Sequence, residues 1–349
     1  MLKTGEKILV AMSGGVDSSV AAALLVQKGY DVTGAFMINY DDKNDLVSCW
    51  AGDYRDAVRV AAKIGIPLIK LNFTKEYKKM VLDYMYKEYK AGRTPNPDVL
   101  CNKFVKFGAW LKKAREMGFE KLATGHYACL DKGKLKEAKD KNKDQTYFLH
   151  QLNQAQLKSV LFPIGGYTKT EVRALAKKFG LPTADKEESM GICFIGEVPM
   201  KEFLQKKIKP TPGNIIFSQT GKVVGKHGGL PFYTIGERGM GINVGAKPVY
   251  VLDKNIKKNE LVVGYEDDPL LYKKEIKVQD VNWISGHQSK FPLQCDVRMR
   301  HRQPLQKAKI KKSGQNLIVQ FVQAQRAVTP GQFAVFYKNG ECLGGGVIK

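Results

Sequence analysis

Short apolar runs and amphipathic stretches alternate along the first 200 residues of the chain. The apolar run Ile8–Met12 predicts a buried parallel strand. After this strand, apolar residues recur at three- and four-residue steps at Val16, Val20, Ala23 and Leu24, which predicts a helix. Further strands are predicted over 31–37, 67–71 and 122–125, and further helices over 53–64, 104–117 and 168–180. This alternation predicts an α/β fold, a doubly wound parallel sheet with its site at the carboxyl ends of the strands.

The pattern changes near residue 200. Glycine and proline become frequent after Pro210, and strand-like alternation dominates, as over 247–252. Short strands at hairpin spacing, typical of a small barrel, are predicted over 276–281, 293–299, 307–310 and 317–321. We expect a catalytic α/β domain over 1–200, a small central β-rich domain over 201–271 and a C-terminal β-barrel over 272–349. The lysine-rich stretch 131–144 is expected to be an exposed hairpin or a mobile loop.

A glycine-containing loop, Ser13-Gly14-Gly15-Val16-Asp17-Ser18, joins the first strand to the first helix. Such a junction directs free backbone N–H groups at an anion, and the serines add hydroxyl donors. An ordinary strand-to-helix turn built of small residues is the alternative. The full string resembles the PP-loop, the pyrophosphate-binding loop of ATP-dependent adenylating enzymes. It is not a Walker loop, because no Gly-Lys-Ser/Thr closes it. We therefore predict an ATP site.

The charge of the chain predicts a polyanionic partner. The 349 residues carry 57 Lys and Arg against 34 Asp and Glu, a net charge of +23. Residues 272–349 hold 14 basic and 4 acidic side chains, a net charge of +10, which favours a nucleic-acid surface there over a generally lysine-rich composition. Neither a signal-peptide core nor an apolar run of membrane-spanning length occurs, so a cytoplasmic protein with no membrane partner is expected.

The stretch Arg93–Asn102 is the densest in groups that can do chemistry. Prolines at 95 and 97 stiffen it, so Asp98 and Cys101 are held at a set distance. Asp98 is a candidate general acid or base, and Cys101 is a candidate thiolate nucleophile. If a helix starts near Asn102, its N-terminus would lower the pKa of Cys101. The alternative is a stiff helix entry with a buried, inert cysteine.

Six cysteines are scattered without C-x-x-C pairs, which excludes a zinc ribbon or a secreted disulfide framework. Cys193 lies among apolar residues, where an inert buried cysteine is the usual case. The polar run 185–189 and the flanking glycines instead suggest an exposed loop. Two cysteines in different loops of an ATP-using domain fit sulfur transfer, in which one carries a persulfide and the other reduces it and ends in a disulfide.

Three further sites are candidates for phosphate or RNA contacts. His126 follows the fourth predicted strand, where ligands of such sheets bind, although a structural histidine is equally compatible. Lys143-Asp144-Gln145 is polar and is expected to be exposed, as an RNA contact or a plain turn. Arg298, Arg300 and Arg302 are expected on one face of a strand, where they suit phosphate binding or form an ordinary charged sheet face.

Taken together, these motifs resemble the tRNA-specific 2-thiouridylases along essentially the whole chain. The matching segments occur in family order at 13–18, 93–102, 123–128, 143–149, 191–194, 227–238 and 329–332. The resemblance implies thiolation at C2 of the wobble uridine in tRNAs for Lys, Glu and Gln. In that reaction ATP adenylates the C2 oxygen and persulfide sulfur then displaces AMP. The target base must leave the anticodon stack to reach the site.

The resemblance also assigns roles to residues. Cys193 would carry the persulfide, Cys101 would free its terminal sulfur as a transient Cys101–Cys193 disulfide forms, and Asp98 would be the acid/base. The implied ATP contacts are Ala11, Met12, Ser13, Gly14, Gly15, Val16, Asp17, Ser18, Met37 and Gly125. Target-base contacts would be Asn96, Pro97 and Asp98. The implied tRNA contacts are His126, Lys143, Asp144, Gln145, Arg300, His301 and Gln332. Mg²⁺ is expected on the ATP phosphates, and the sulfur would come from a cysteine desulfurase or a relay carrier.

Two positions depart from the family pattern, which usually has glutamine where Glu237 stands and tyrosine where His301 stands. The second departure weakens the expectation for His301 as a tRNA contact. An amidating ligase with the same fold would need neither the two cysteines nor the basic barrel. A non-catalytic RNA-binding protein would not need an intact Ser13–Ser18 loop.

Overall fold

A computed structural model describes residues 5–41, 50–187, 199–239, 241–242, 244–245 and 247–349. Its first sheet is parallel and contains five strands, β1 Lys7–Ala11, β2 Asp31–Ile38, β3 Leu68–Asn72, β4 Lys121–Thr124 and β7 Val160–Leu161. Their order across the sheet is β3-β2-β1-β4-β7. Ile8 and Val10 pack into one apolar cluster and Leu9 into another, so both faces of the sheet are covered. The predicted doubly wound sheet is confirmed.

Helices cover both faces of this sheet. The α-helices are α1 Val16–Gln27, α2 Ala51–Ile64, α3 Thr74–Tyr77, α4 Asp83–Lys90, α5 Pro97–Leu100, α6 Leu111–Glu116, α7 Thr146–Leu149, α8 Gln154–Leu157, α9 Lys169–Lys178 and α10 Met200–Gln205. Wider π-helical turns occupy Lys78–Leu82 and Cys101–Trp110, and 3₁₀ turns occupy Leu230–Phe232 and Pro269–Leu271. Helix α9 begins at a capping box between Thr168 and Glu171, as its sequence predicts.

The helix expected over 104–117 begins seven residues earlier, at Pro97. The Asn96 side chain accepts a hydrogen bond from Val99 N at 3.2 Å, and proline occupies the first helical position. Asn96 therefore caps the helix, and Pro97 sits where a missing N–H costs nothing. As a result, Cys101 lies inside the helical segment and not at its N-terminus.

The remaining strands form a small central sheet and a closed barrel. The central sheet contains β8 Gly213–Phe217, β9 Val223–His227, β10 Tyr250–Asn255 and β11 Glu260–Gly264. The barrel strands are β12 Tyr272–Trp283, β13 Leu293–Arg298, β14 Gln306–Ser313, β15 Asn316–Arg326, β16 Phe333–Lys338 and β17 Glu341–Ile348. Pairing of β12 with both β15 and β17 closes the antiparallel barrel. The predicted barrel is confirmed.

The lysine-rich stretch 131–144 is a hairpin for part of its length, between β5 Cys129–Asp131 and β6 Lys134–Lys136. It is not simply exposed, because Leu135, Ala138 and Asp144 are buried. Lys136 pairs with Glu341, so the hairpin extends the barrel sheet through β17. The α/β part of the chain thus supplies two strands to the barrel sheet. Within the described ranges, no helix is long and apolar enough to span a membrane.

Candidate active site

The glycine loop, Ser13–Ser18, lies between β1 and α1 at the carboxyl edge of the parallel sheet. Gly14 has φ of +76°, and a Cβ there would lie 2.8 Å from the Asp53 carbonyl carbon, so α2 leaves room only for glycine. Ser18 Oγ accepts from Ser13 N at 3.2 Å and donates to Gly15 O at 3.1 Å. The loop closes on itself around the N-terminus of the 12-residue helix α1 and forms an anion cradle there.

Neighbouring strands frame this cradle. Gly125 follows β4, and a Cβ on it would lie 2.6 Å from Ser18 N, so the two backbones nearly touch. Met12 N donates to Ala35 O at 2.9 Å, which ties the start of the loop to β2. Met37 lies farther along β2, with its side chain in the core. The structure therefore brings Ala11, Met12, the glycine loop, Met37 and Gly125 to three adjacent strands.

Two lysines contact the glycine loop, and the sequence reasoning missed both. Lys169 Nζ lies 2.7 and 2.8 Å from the two oxygens of Asp17, which also accepts from the Tyr127 hydroxyl at 2.9 Å. Lys186 Nζ donates to Gly14 O at 3.1 Å and to Asp53 and Asp56 at 2.7 and 2.6 Å. No local motif marks these lysines, because their partners lie 130 to 172 residues away.

A second segment, the cysteine loop Gly92–Cys101, is held by residues from both downstream parts of the chain. Gln332 Nε2 donates to Thr94 O at 2.9 Å and to Pro95 O at 3.1 Å, while its Oε1 accepts from Asn96 at 3.3 Å. Thr94 N donates to Pro330 O, and Lys254 Nζ donates to Gly92 O at 3.1 Å. The barrel and the central sheet therefore set the shape of the loop that leads into Asp98 and Cys101.

Cys101 is buried, with 2% of its surface exposed, and its Sγ lies 3.9 Å from Asn39 Nδ2. Burial raises the pKa of its thiol to about 12; Lys106 opposes this shift and Asp98 adds to it. The expectation of a pKa lowered by a helix N-terminus is wrong, because the helix starts four residues earlier. In this conformation Cys101 is a protonated thiol at neutral pH.

The structure describes three of the other five cysteines, Cys129, Cys295 and Cys342. Cys193 and Cys49 lie outside the described residues, so the proposed Cys101–Cys193 pair has no geometry here. Cys295 and Cys342 are buried and free, and burial raises the pKa of the Cys295 thiol to about 12. Cys129 is half-buried and free, and its pKa is also raised by burial. Among the four described cysteines, Cys101 is the one in contact with Asn39, which follows β2 at the carboxyl edge of the parallel sheet.

Several predicted tRNA contacts are engaged inside the protein. His126 is buried between Phe107 and Phe162, its Nδ1 lies 2.7 Å from Thr124 Oγ1, and burial holds its pKa well below the usual value. Gln145 accepts from Tyr127 N at 3.0 Å and donates its own N–H to Tyr127 O at 2.8 Å. Gln145 thus orients the tyrosine whose hydroxyl contacts Asp17.

The expected exposure of Asp144 is wrong. Only 1% of its surface is exposed, and its carboxylate accepts from Ala138 N, Thr146 Oγ1 and Arg298 Nη1 at 3.0, 2.7 and 2.9 Å. Arg298 also lies 3.4 Å from Glu137 and over the ring of Tyr337. A buried carboxylate needs such partners. Asp144 and Arg298 therefore form an internal ion pair between the α/β part and the barrel.

The expected row of three arginines on one strand face is wrong as well. Strand β13 ends at Arg298, which points inward, and the chain then turns. Arg302 has φ of +65°, so residues 300–302 do not continue the strand. Arg300 is exposed but donates to Ala327 O and to Thr329 Oγ1. The His301 ring lies 4.7 Å from that of Phe148, and burial lowers its pKa to about 4.

In the described part of the chain, no group of three His, Cys, Asp or Glu side chains could hold a metal ion. Protein side chains alone therefore do not form a metal site among these residues. Asp17 at the cradle is a single carboxylate. That donor set fits Mg²⁺ bound mainly by phosphate oxygens and water, with one or two carboxylates from the protein.

A parallel sheet whose first strand ends in the cradle of the PP-loop type defines a nucleotide-binding domain of that class. Three family models match the chain: the tRNA methyl transferase HUP domain over 6–197, the tRNA methyl transferase PRC-barrel domain over 201–265 and the aminomethyltransferase beta-barrel domain over 273–348. These descriptions mention methyl transfer, whereas the curated relatives are named for thiolation.

The chain is 48% identical to the tRNA-specific 2-thiouridylase MnmA 2 of Geobacillus kaustophilus, over 98% of this chain and 94% of that protein. It is 47% identical to the tRNA-specific 2-thiouridylase MnmA of Coxiella burnetii, over 98% of both. A solved 4-thiouridine synthetase–RNA complex with bound ATP is 21% identical, with a TM-score of 0.35 over 58% of this chain and 50% of that one, which is too slight a likeness to bear on function.

Identity at this level along the whole chain shows that the protein belongs to the tRNA-specific 2-thiouridylase family. Its membership identifies a transferase that thiolates tRNA and binds ATP.

Proposed function

We propose that the chain thiolates C2 of the wobble uridine in tRNA-Lys, tRNA-Glu and tRNA-Gln, using ATP and a persulfide on Cys193. One observation supports this proposal above all: the anion cradle and Cys101 lie at the same edge of the parallel sheet. The anion cradle follows β1, and Cys101 contacts Asn39, which follows the neighbouring strand β2. An adenylating loop and a thiol at adjacent strand ends fit a reaction that first activates a base and then transfers sulfur to it.

In the first step, the C2 oxygen of the uridine attacks the α-phosphorus of ATP, and pyrophosphate leaves. The product is an adenylated base in which AMP is the leaving group. The N–H groups of the glycine loop and of the α1 N-terminus stabilise the charge on the phosphates. Mg²⁺, when bound, would neutralise phosphate charge, and Asp17 would have to exchange its contact with Lys169 for the ion to become one of its ligands. Asn96, Pro97 and Asp98 would contact the flipped base, with Asp98 as the acid/base.

In the second step, the terminal sulfur of the Cys193 persulfide forms a bond to C2, and the bond from C2 to the AMP oxygen breaks. The Cys101 thiolate attacks Cys193 Sγ, the persulfide S–S bond breaks, and its electron pair stays with the sulfur now on the base. A Cys101–Cys193 disulfide remains. A thiol reductant restores both cysteines, and a cysteine desulfurase or a sulfur-relay carrier reloads Cys193.

The raised pKa of Cys101 imposes a condition on this mechanism. The thiol must lose its proton before it attacks, and it does not do so while buried at the position described. We infer that tRNA binding hydrates Cys101 or brings a cation closer to it. Iodoacetamide at pH 8 should then alkylate Cys101 slowly in the free protein and faster with tRNA bound. Equal rates with and without tRNA would contradict the inference.

The contacts described above divide the predicted tRNA residues into two groups. Lys143, Arg300 and His301 remain our proposed contacts to tRNA. His126 and Asp144 are buried, and Gln145 and Gln332 bind the backbone beside the glycine loop and the cysteine loop, so we propose that these four position the site. Lys143 is a suitable contact for a phosphate of the tRNA backbone.

The proposal is tested by mass spectrometry of nucleosides from unmodified tRNA-Lys, incubated with the protein, ATP, Mg²⁺ and a persulfide source. We expect 2-thiouridine at the wobble position with the intact protein and none with Cys101→Ala or Cys193→Ala. Cys295→Ala, a buried cysteine of the barrel, is the matched control and should keep activity. Thiouridine formed by both cysteine variants would contradict the roles proposed for those residues.

A further inference from the structure

Lys186 is a half-buried cation that the proposed chemistry does not use. Its ammonium group lies 2.6–3.1 Å from three oxygens: Asp53 Oδ1 and Asp56 Oδ2 on α2, and the carbonyl of Gly14 in the glycine loop. Burial alone would lower the pKa of Lys186, but hydrogen bonds to the two carboxylates outweigh it and raise that pKa. The lysine is therefore charged at neutral pH.

The backbone that bears Lys186 is fixed to the same region. Arg173 on α9 donates to Ala184 O at 3.0 Å and to Lys186 O at 3.2 Å. Thr183 Oγ1 donates to Ser19 Oγ at 3.1 Å, which joins this turn to the first turns of α1. Lys186 thus reaches the glycine loop from a backbone anchored on two helices, and its position does not depend on a freely moving surface chain.

The contact with Gly14 O determines which way a neighbouring N–H points. The Gly14–Gly15 peptide is trans, so its C=O and its N–H point in opposite directions. Since the carbonyl of Gly14 is directed at Lys186, the N–H of Gly15 is directed away from Lys186 and its two carboxylate partners. A peptide at a glycine with φ of +76° has little steric restraint of its own, so the hydrogen bond from Lys186 helps to keep this orientation.

The carboxylates on α2 give Lys186 a second role beside the glycine loop. Asp53 and Asp56 would repel a triphosphate bound at the neighbouring loop. With Lys186 between them and the carbonyl of Gly14, part of that charge is neutralised and the carboxylates are held on the far side of the peptide. The same cation therefore orients a donor toward the anion and reduces a repulsion against it.

We propose that Lys186 is a positioning residue for ATP, which holds the Gly14–Gly15 peptide with its N–H toward the phosphates and neutralises Asp53 and Asp56. The proposal rests on ATP binding at the glycine loop, as in the proposed function. It assigns Lys186 to nucleotide affinity and not to sulfur transfer, and that division can be measured.

The test uses the full chain with Lys186→Met, which keeps the length of the side chain, and Lys186→Arg, which keeps its charge. ATP affinity by calorimetry and the KM for ATP in tRNA-dependent pyrophosphate release are the readouts. We expect Lys186→Met to raise the Kd and KM for ATP about tenfold or more, with kcat and tRNA affinity changed by less than about threefold. Lys186→Arg should recover most of the ATP affinity. Lys177→Met, which removes an exposed partner of Asp185, is the control and should change neither value.

Three results would overturn the proposal: an unchanged ATP Kd in folded Lys186→Met, a loss of kcat at the original KM, or a Lys186→Arg variant that binds ATP no better than the methionine variant. If Lys186→Met does not fold, Lys186→Gln with the same thermal transition as the intact protein replaces it. Calorimetry separates this proposal from the proposed function, because ATP binding can be lost in the variant even if the intact protein makes no thiouridine.

Discussion

The glycine loop and the cysteine loop are neighbours in the site but are built in different ways. The glycine loop closes on itself within six residues, from Ser13 to Ser18 and from Ser18 to Gly15, and its two lysine partners come from the same α/β part of the chain. The cysteine loop is held by the side chains of Lys254 and Gln332, which lie 162 and 238 residues from the carbonyls that they contact. The ATP-binding part of the site is thus held within the α/β part of the chain, whereas the geometry around Asp98 and Cys101 also depends on the central sheet and the barrel. A substitution that disrupts the barrel should therefore impair sulfur transfer more than it impairs ATP binding.

The largest effect is expected at the ion pair that joins the α/β part to the barrel. Asp144→Asn leaves Arg298 buried without its main partner, and this should lower the free energy of unfolding by about 3 kcal/mol. The matched control is Asp296→Asn, whose partner Lys307 is exposed, and it should cost no more than about 1 kcal/mol. Urea unfolding measures both, and equal losses would show that the buried pair is not what joins the two parts.

The second prediction concerns Gly14 in the glycine loop. Gly14→Ala forces a side chain into the left-handed region and against the Asp53 backbone, so the cradle must open. ATP-dependent pyrophosphate release should fall roughly a hundredfold, about 2.7 kcal/mol in the barrier. Gly52→Ala on the adjacent helix, where a Cβ meets nothing within 4 Å, should leave this activity unchanged. Retained activity in Gly14→Ala would mean that the loop is not built around that glycine.

A third change isolates the remote support of the cysteine loop. Gln332→Glu keeps the size of the side chain but places an oxygen opposite the carbonyls of Thr94 and Pro95. Thiolation should fall about tenfold while the Kd values for ATP and tRNA stay within about twofold. Gln320→Glu, on the outer face of the barrel, is the control. A loss of tRNA affinity that accounts for the whole defect would instead make Gln332 a direct tRNA contact.

The last effect is a dependence of stability on pH at the same junction. His150 is fully buried against the barrel residue Phe333, and burial, with a smaller contribution from Lys103, lowers its pKa to about 3. A pKa depressed in the folded state means that the unfolded chain takes up this proton first. Stability from neutral His150 is therefore complete above pH 6.5 and declines as the pH falls toward 3, by at most about 1.4 kcal/mol per pH unit.

His150→Gln should reduce that slope between pH 6 and 4.5, as measured by urea unfolding at a series of pH values. His287→Gln replaces an exposed histidine and should keep it. A slope that is identical in His150→Gln and in the intact protein would place the acid sensitivity elsewhere, with buried His126 as the first alternative.

Much of the α/β part was predictable because its signals are local. The spacing of Val16, Val20 and Ala23 predicts α1, and the Thr168–Glu171 capping box predicts the start of α9. The predicted helix boundary before Cys101 is wrong, although Asn96-Pro97 is itself a local capping signal. Reading that pair as a helix start would have put Cys101 inside the helix and removed the expectation of an acidic thiol.

The sequence alone determined the strands, the glycine loop and the class of chemistry, since periodicity, capping and glycine conformations act over a few residues. Only the tertiary structure decided that Asp144 is buried against Arg298, that Gln332 supports the cysteine loop and that Lys186 reaches Gly14. Polar side chains in loops have no periodicity to show which of them will be buried. Their partners lie 154 to 238 residues away. A polar group that packing removes from water needs a hydrogen-bond partner, and the tertiary structure determines which partner is within reach.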